Sequence, residues 1–439
     1  MAEQIKSLRT GVKYKDTPIG KIPVNWEIKK LIDTAKDEPY SFTGGPFGSN
    51  LKESSYTDSG VRIIQLQNIG DGQFLDEYQI FTSEDKADQL KSCNIYPGDI
   101  IIAKMADPVA RACLIPNSDK RYLMASDGIR LSVNEKLYDK KFILHSINSK
   151  YFRENAERHS TGTTRLRIGL TELKNSPLAI PPLEEQKSIA EILSTVDEAI
   201  EKADQVIEKT KEAKKGLMQR LLNRGIGHKK FKKTIIGKIP IEWTIRKLGD
   251  MCIGQPEYGA NVSAIDKDVN LPRYVRITDI TEDGGLLNDT WQSIQNEHAR
   301  PYMLTAGDIL FARSGATVGK TYLYNLEDGK CAFAGYLIRF KPNPKMLLPE
   351  YLFHCTHSDV YYNWIKGMFR AGAQPNINAV EYSSMLIPTP PIAEQKMIVR
   401  ILDYFSKNID KELYSKEQLN SLKTGLMQVL LTGRIRVKA

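Results

Sequence analysis

The chain contains no run of 18 apolar residues. A helix needs about 20 to cross a bilayer, so no membrane span is expected. Its opening stretch, MAEQIKSLRTGVKYK, lacks the apolar centre of a secretory leader. The five cysteines (Cys93, Cys113, Cys252, Cys331 and Cys355) are scattered and form no CxxC pair. Buried free thiols in a reducing cytoplasm are therefore expected, not a disulfide framework. Catalytic signatures are missing too: there is no DPPY or NPPY tetrapeptide for methyl transfer, no GxSxG and no HExxH. SGATVGKT (314–321) has three residues between Gly315 and Gly319, where a phosphate loop needs four. His354-Cys355-Thr356-His357 looks like a metal cluster, but the matching place earlier in the chain reads His145-Ser146-Ile147-Asn148. Only the first histidine is shared, so packed helix residues are expected and neither metal nor cofactor is assigned to this chain.

What the chain does contain is itself, twice. KYKDTPIGKIPVNW (13–26) returns as KFKKTIIGKIPIEW (230–243), PPLEEQKSIAEIL (181–193) as PPIAEQKMIVRIL (390–402), and GLMQRLLNRG (216–225) as GLMQVLLTGR (425–434). The last two pairs share one offset, 209 positions. A chain of 439 residues exceeds what one core usually supports, so two related domains are expected, with pseudo-twofold symmetry. A net charge of +9 and a pI near 9.0 favour a polyanionic partner.

Each half runs in one order: entry segment, mixed body, long helix. Strands are expected at 61–69 and 274–280, 99–104 and 308–313, and 128–133 and 336–340, where β-branched residues lie between glycine turns. Helices are expected at 141–159 and 350–369. Without a βαβ repetition the class is α+β. From Leu183 to about Leu222 apolar residues follow a heptad seam through Ile189, Val196, Ala203 and Leu217, with Ile192, Ala199, Val206 and Ala213 between them and Leu193, Ile200, Ile207 and Leu221 widening it. In the second half the stripe runs from Ile398 through Leu402, Leu413 and Leu422 to Leu430. Each is a rod about 60 Å long at 1.5 Å per residue. Such seams need cover, so an antiparallel pair is expected. This divides the chain into 1–180 (first domain), 181–224 (central helix), 225–389 (second domain) and 390–439 (C-terminal helix). The basic connector NRGIGHKKFKK (223–233) is either a solvated linker or a strap touching phosphates.

Binding features follow the same offset. Lys104 matches Arg313, Arg111 matches Lys320, and Arg130 matches Arg339. The first two pairs keep a positive charge at a strand end and in its following loop, where phosphate contacts are readily made. The segment Thr163, Arg165, Arg167 corresponds to that holding Gln374 and Asn376. Arginine can pair with guanine, and Gln or Asn with adenine, so unlike side chains on one frame would read unlike bases. Lys104, Arg111, Arg165, Arg167, Arg313 and Lys320 are cast as phosphate clamps, Gln374 and Asn376 as base readers. FGSN (47–50), with Ser49 and Asn50, pairs with YGAN (258–261), with Asn261, at offset 211. There glycine permits close approach, and the aromatic before it is expected in the core.

GGPFGSNLK (44–52), the doubled IGKIPVNW and IGKIPIEW, the doubled PPLxEQ-like helix starts and GLMQVLLTGRIRVK (425–438) together resemble the specificity subunit of a type I restriction–modification system. The resemblance covers nearly the whole chain. It implies two target-recognition domains separated by two antiparallel helices, each domain reading one half of a split, asymmetric site on double-stranded DNA. It also implies that the helices dock two methyltransferase subunits, which a restriction and translocase subunit can join. By the same resemblance those partners use S-adenosylmethionine, ATP and Mg, while this subunit is not catalytic. One departure is Ala393 in PPIAEQ where the first copy has Glu184, which weakens any expectation of equal docking at the two helix starts. Rival readings are a fused methyltransferase or nuclease, which methyl transfer by the purified chain would support, and a coiled-coil scaffold whose bodies bind protein.

Overall fold

A computed structural model of the chain describes residues 13–105, 108–162, 165–369 and 375–437. The chain forms two compact units, one of residues up to Asp204 together with Tyr414 onward, the other Gln205–Leu413. The two long helices, Leu183–Arg224 and Ile392–Leu430, each contribute a segment to both units.

In the first unit a four-stranded antiparallel sheet has the order Ala112–Leu114, Ile100–Ala103, Gly128–Leu131, Phe42–Gly44. In the second unit the corresponding order is Thr321–Leu323, Ile309–Ala312, Leu337–Phe340, Glu257–Tyr258. The registers repeat: Ile129 faces Ile102 as Ile338 faces Phe311. A parallel pair recurs as well, Val61–Ile64 beside Tyr122–Met124 and Arg273–Val275 beside Cys331–Phe333. The strands expected at 61–69 and 274–280 stop early for one local reason. Asn68 Oδ1 accepts from the Gln65 amide at 3.0 Å and Asp279 Oδ2 from the Arg276 amide at 2.9 Å, closing a turn where the ladder would have continued. The single helices expected at 141–159 and 350–369 are each broken in two. Ser149 and Ser358 cap new helices at Lys150–Arg158 and Asp359–Met368.

The repeated entry motif is a hairpin. Tyr14–Thr17 pairs with Gly20–Pro23, and Phe231–Thr234 with Gly237–Pro240. Gly20 and Gly237 sit at φ +100 and +114, which side chains with a Cβ rarely adopt. Thr17 and Thr234 each donate to that glycine's carbonyl at 2.6 Å. The hairpins lead to Trp26 and Trp243, both fully buried.

Each tryptophan explains the repeated helix start. Trp26 Nε1 donates to Glu185 at 3.2 Å, and Trp243 Nε1 to Glu394 at 2.9 Å. The next residue ties the helix to the body: Gln186 accepts from the Asp139 amide and donates to the Pro181 carbonyl, both at 2.9 Å. Gln395 does the same with the Leu348 amide and the Pro390 carbonyl. Glu185 and Glu394 also receive the segments that follow the helices. Arg436 pairs with Glu185 at 2.5 Å, while the Ile226 amide and His228 Nε2 reach Glu394 at 2.9 and 2.8 Å. The start of the basic connector is thus docked on its own unit and is not a free linker, while Lys229, Lys230 and Lys233 beyond it are exposed.

Within each unit the long-helix segments run antiparallel, as the apolar seam requires. Asp197 meets Lys423 at 2.6 Å and Asp204 meets Lys416 at 2.5 Å in the first, and Lys214 meets Ser406 at 2.7 Å in the second. Ile189, Leu193, Val196, Ile398 and Leu402 are buried. Some residues assigned to the seam face out instead: Ala213 is exposed, and Val206, Leu413 and Leu422 are each exposed by more than two-fifths. Cys93, Cys113, Cys331 and Cys355 are buried free thiols and Cys252 is half-buried. Burial pushes the Cys113 and Cys355 thiols up to about 12.

His145 and His354, the shared histidines, pack against the long helices. His354 Nε2 lies 3.1 Å from Asp403, and His145 Nε2 3.8 Å from Asp197, which Lys423 already neutralises. Burial holds His145 down at about 4. It is therefore neutral in the folded chain at any pH well above that value, whereas the unfolded chain protonates it near 6.5. Stability is expected to fall as pH drops from 6.5 towards 4, by up to about 3 kcal/mol. A pH series of calorimetric melts on the wild type and His145→Gln checks this, the variant losing that part of the acid sensitivity.

Candidate nucleic-acid interface

Backbone contact alone fixes one group of loops in each unit. The Gly45 amide donates to the Gly128 carbonyl at 2.8 Å, and a Cβ on Gly45 would lie 1.8 Å from the Ala125 oxygen. The Gly259 amide donates to the Leu337 carbonyl at 3.3 Å, and its Cβ would lie 2.3 Å from the Ala334 oxygen. Only glycine fits either place. Gly45 and Gly259 are therefore the equivalent pair, since Gly128 and Leu337 are strand partners at the common offset. This corrects the alignment of FGSN with YGAN: Tyr258 occupies the place of Gly44, each next to the matched strand residues Ile338 and Ile129.

The aromatic of FGSN is also not in the core. Phe47 is 83% exposed, on a loop whose Ser49 and Asn50 are exposed as well. Its ring lines a cleft of about 230 Å³ with Tyr56, Gln65, Gln67, Ser126 and Asp127. Gln67 is exposed and Gln65 donates to the Tyr56 hydroxyl at 3.3 Å. Neither glutamine stood out in the sequence, because both lie within what reads there as one continuous strand, 61–69.

The strand ends close the group. The Lys104 amide donates to Asp127 at 2.7 Å and the Ile168 amide donates to Lys104 at 3.0 Å. In the second unit the Arg313 amide donates to Tyr336 at 3.0 Å and the Ile377 amide to Arg313 at 2.8 Å. Arg167 bridges to Met105 as Asn376 bridges to Ser314. Lys104, Asp127 and Arg167 thus occupy the places of Arg313, Tyr336 and Asn376. Arg167 forms an ion pair with Asp127, and Arg165 beside it is exposed. The Arg313 guanidinium stacks 4.9 Å from the centre of the Tyr258 ring, whose hydroxyl accepts from the Ala379 amide at 3.1 Å. Tyr336 is 61% exposed, Asn376 and Asn261 are exposed, and Thr278 stands exposed where the first unit has Gln67. Thr163 and Gln374 lie outside the described residues.

Arg111 and Lys320 do not join these groups. Arg111 Nη2 donates to the Leu66 carbonyl at 2.9 Å. Lys320 Nζ donates to the Ile280 carbonyl at 3.2 Å and pairs with Glu282 at 2.9 Å. Both hold the loop after the parallel strand, so their charges are tied into the scaffold. Arg130 and Arg339 are internal as well: Arg130 meets Asp99 at 2.7 Å, and Arg339 meets Asp308 at 3.5 Å, also pairing with Glu257. His354 and His357 have partners inside the fold, Asp403 and the Phe353 carbonyl at 2.8 Å. Among the described residues no group of three or more His, Cys, Asp or Glu is placed to hold a metal ion, and no helix is long and apolar enough to cross a membrane.

The first unit thus offers exposed Phe47, Asn50, Gln67, Arg165 and Arg167, and the second exposed Tyr336, Asn261 and Asn376 beside the half-buried Arg313, with different chemistry at equivalent places. A family model described as the type I restriction modification DNA specificity domain matches residues 23–209 and again 240–421. The putative type I restriction enzyme MjaX specificity subunit of Methanocaldococcus jannaschii is 26% identical, over 97% of each chain. The EcoBI specificity subunit of Escherichia coli is 24% identical, over 91% of this chain and 85% of that one. In three dimensions the chain resembles the crystal structure of a type I restriction–modification system S subunit from M. genitalium, with TM-score 0.56 and 15% identity over 94% of this chain and 98% of that one.

Proposed function

Because the chain belongs to the type I restriction–modification DNA specificity family, we propose that its two units read the two unlike halves of one asymmetric DNA site and bring partner enzymes to it. The observation that carries this reading is the equivalence of Lys104, Asp127 and Arg167 with Arg313, Tyr336 and Asn376 on one strand framework. A scaffold kept while the side chains it carries change is what reading two different sequences requires. Lys104, Arg165 and Arg313 serve as phosphate contacts. Ser49, Asn50 and Asn261, with Gln67 and Thr278, face the base edges.

Catalysis belongs to the partners. Two methyltransferase subunits dock on the long helices, and restriction subunits can join them, with S-adenosylmethionine, ATP and Mg used by those partners. Support within the second unit is a groove of about 790 Å³ lined by Lys396, Val399, Arg400, Tyr404 and Lys407, on a helix that leaves Met397 and Tyr404 exposed. A partner handling DNA and cofactors places the protein in the cytoplasm, consistent with its free thiols.

The reading is tested by mapping methylated adenines genome-wide in cells with and without this gene. A split motif that disappears with the gene is expected, and a methylation pattern indifferent to its loss would end the proposal. In the assembled complex Arg313→Ala should weaken binding to all sequences alike and lower the salt slope by about 1, as for one phosphate contact. Titrations at several salt concentrations measure this, and an unchanged slope would remove Arg313 from the DNA backbone.

A further inference from the structure

Arg167 and Asn376 hold the same register position, each bridged to the strand-end residue Met105 or Ser314. Their surroundings differ in the residue beside them. Arg167 is paired with Asp127, whose side chain is 19% exposed, whereas the place of Asp127 in the second unit is taken by Tyr336. A carboxylate beside an arginine repels phosphate, so this position is poorly suited to the DNA backbone. It is well suited to a base edge. The contact to Asp127 uses one Nη2 hydrogen, and the end-on fork of the guanidinium keeps its remaining donors in a fixed plane. The side chain is still 48% exposed.

Resting on the DNA reading above, we infer that Arg167, held by Asp127, selects a guanine in the half-site of the first unit, and that Asn376 selects an adenine at the equivalent place in the other half. Guanine presents two acceptors, O6 and N7, to the major groove, matching the two free donors of the fork. Adenine presents one acceptor and one donor, N7 and the N6 amine, matching a carboxamide. The two halves of the site therefore differ at this step because one unit offers two donors and the other a donor and an acceptor. Arg167 is thereby reassigned from the phosphate role that its charge alone would give it. Asp127 is a positioning residue: it fixes the arginine and need not touch DNA.

The test uses the full chain assembled with its methyltransferase subunits, acting on a DNA library randomised across both half-sites, with methylated products sequenced. The wild type is expected to require a guanine in one half and an adenine in the other. Arg167→Ala should relax the guanine preference about tenfold or more while leaving the other half unchanged. Arg167→Lys, which keeps the charge but not the fork, should lose the same preference with its salt slope intact. Asn376→Ala should relax the adenine position alone. If Arg167→Ala keeps every base preference and only lowers the salt slope, Arg167 is a phosphate contact and this inference falls while the DNA reading stands. A wild-type complex that methylates without any sequence preference would overturn both.

Discussion

Replacing Arg339 with alanine is expected to destabilise the unit Gln205–Leu413 by about 3–5 kcal/mol. Arg339 is 4% exposed and lies against Asp308, which is 2% exposed. Its other donors reach Glu257 and the Met303 carbonyl, the latter at 2.7 Å. Removing the guanidinium leaves the Asp308 charge buried, with the Thr305 amide at 2.9 Å still donating to it. One neutral donor cannot offset the desolvation of a carboxylate. The double variant Arg339→Ala with Asp308→Ala should recover part of the loss, because no charge is then stranded. Hydrogen exchange in the strands Ile309–Ala312 and Leu337–Phe340 reads the effect on this unit separately from the other. A double variant no more stable than the single one would show that the stranded carboxylate is not the cause. Arg130 and Asp99 occupy the same places in the first unit, at 2.7 Å, so Arg130→Ala should act there in the same direction.

The second large effect is expected at Glu394. This side chain accepts from the Trp243 indole, the Ile226 amide and His228, and it is 7% exposed. Glu394→Ala would leave the indole and the amide without their acceptor. At about 1–3 kcal/mol for each buried donor left unmade, a loss of about 3 kcal/mol or more follows. Glu394→Gln keeps one carbonyl oxygen and should lose clearly less. Calorimetry gives the magnitude, and a red shift of tryptophan emission would report that Trp243 has become wetter. Equal melting of the alanine variant and the wild type would mean that these donors find water instead.

These two sites show why the repeat could be found in the sequence but not interpreted from it. PPLEEQ and PPIAEQ stand out as strings, and with the IGKIP entries they point to the right family. In the structure their Glu and Gln bind tryptophans and backbone far away in the chain, so they fasten body to helix within each unit. Glu184, the residue that Ala393 replaces, points outward to Lys187 at 2.8 Å and takes no part in that fastening. Spacing in a sequence reports that a residue is required, but its partner is 159 positions away for Trp26 and Glu185.

The candidate interface divides in the same way. Lys104, Arg313, Arg167 and Asn376 could be paired by counting, because the offset of 209 holds through the strands that carry them. Arg111 and Lys320 obey that offset equally well, yet their donors close on carbonyls of a neighbouring loop. Apart from Asn376 all of these residues are cations at matched register, and only the position of the next loop decides which of them is tied to a carbonyl. Phe47 was misplaced because an aromatic after glycine and proline has no periodicity to mark its face, and Gln65 and Gln67 were hidden by a strand that ends sooner than its composition implies.

By itself, then, the sequence determined the duplication, the α+β class, the long helices and the family, all of which rest on local propensity, periodicity and recurrence along the chain. Tertiary structure decided which cations are exposed, which glycines are equivalent and where each helix start is fastened. Those outcomes depend on residues distant in sequence meeting in space, where burial, hydrogen-bond satisfaction and the exclusion of a Cβ select among side chains that look alike in one dimension.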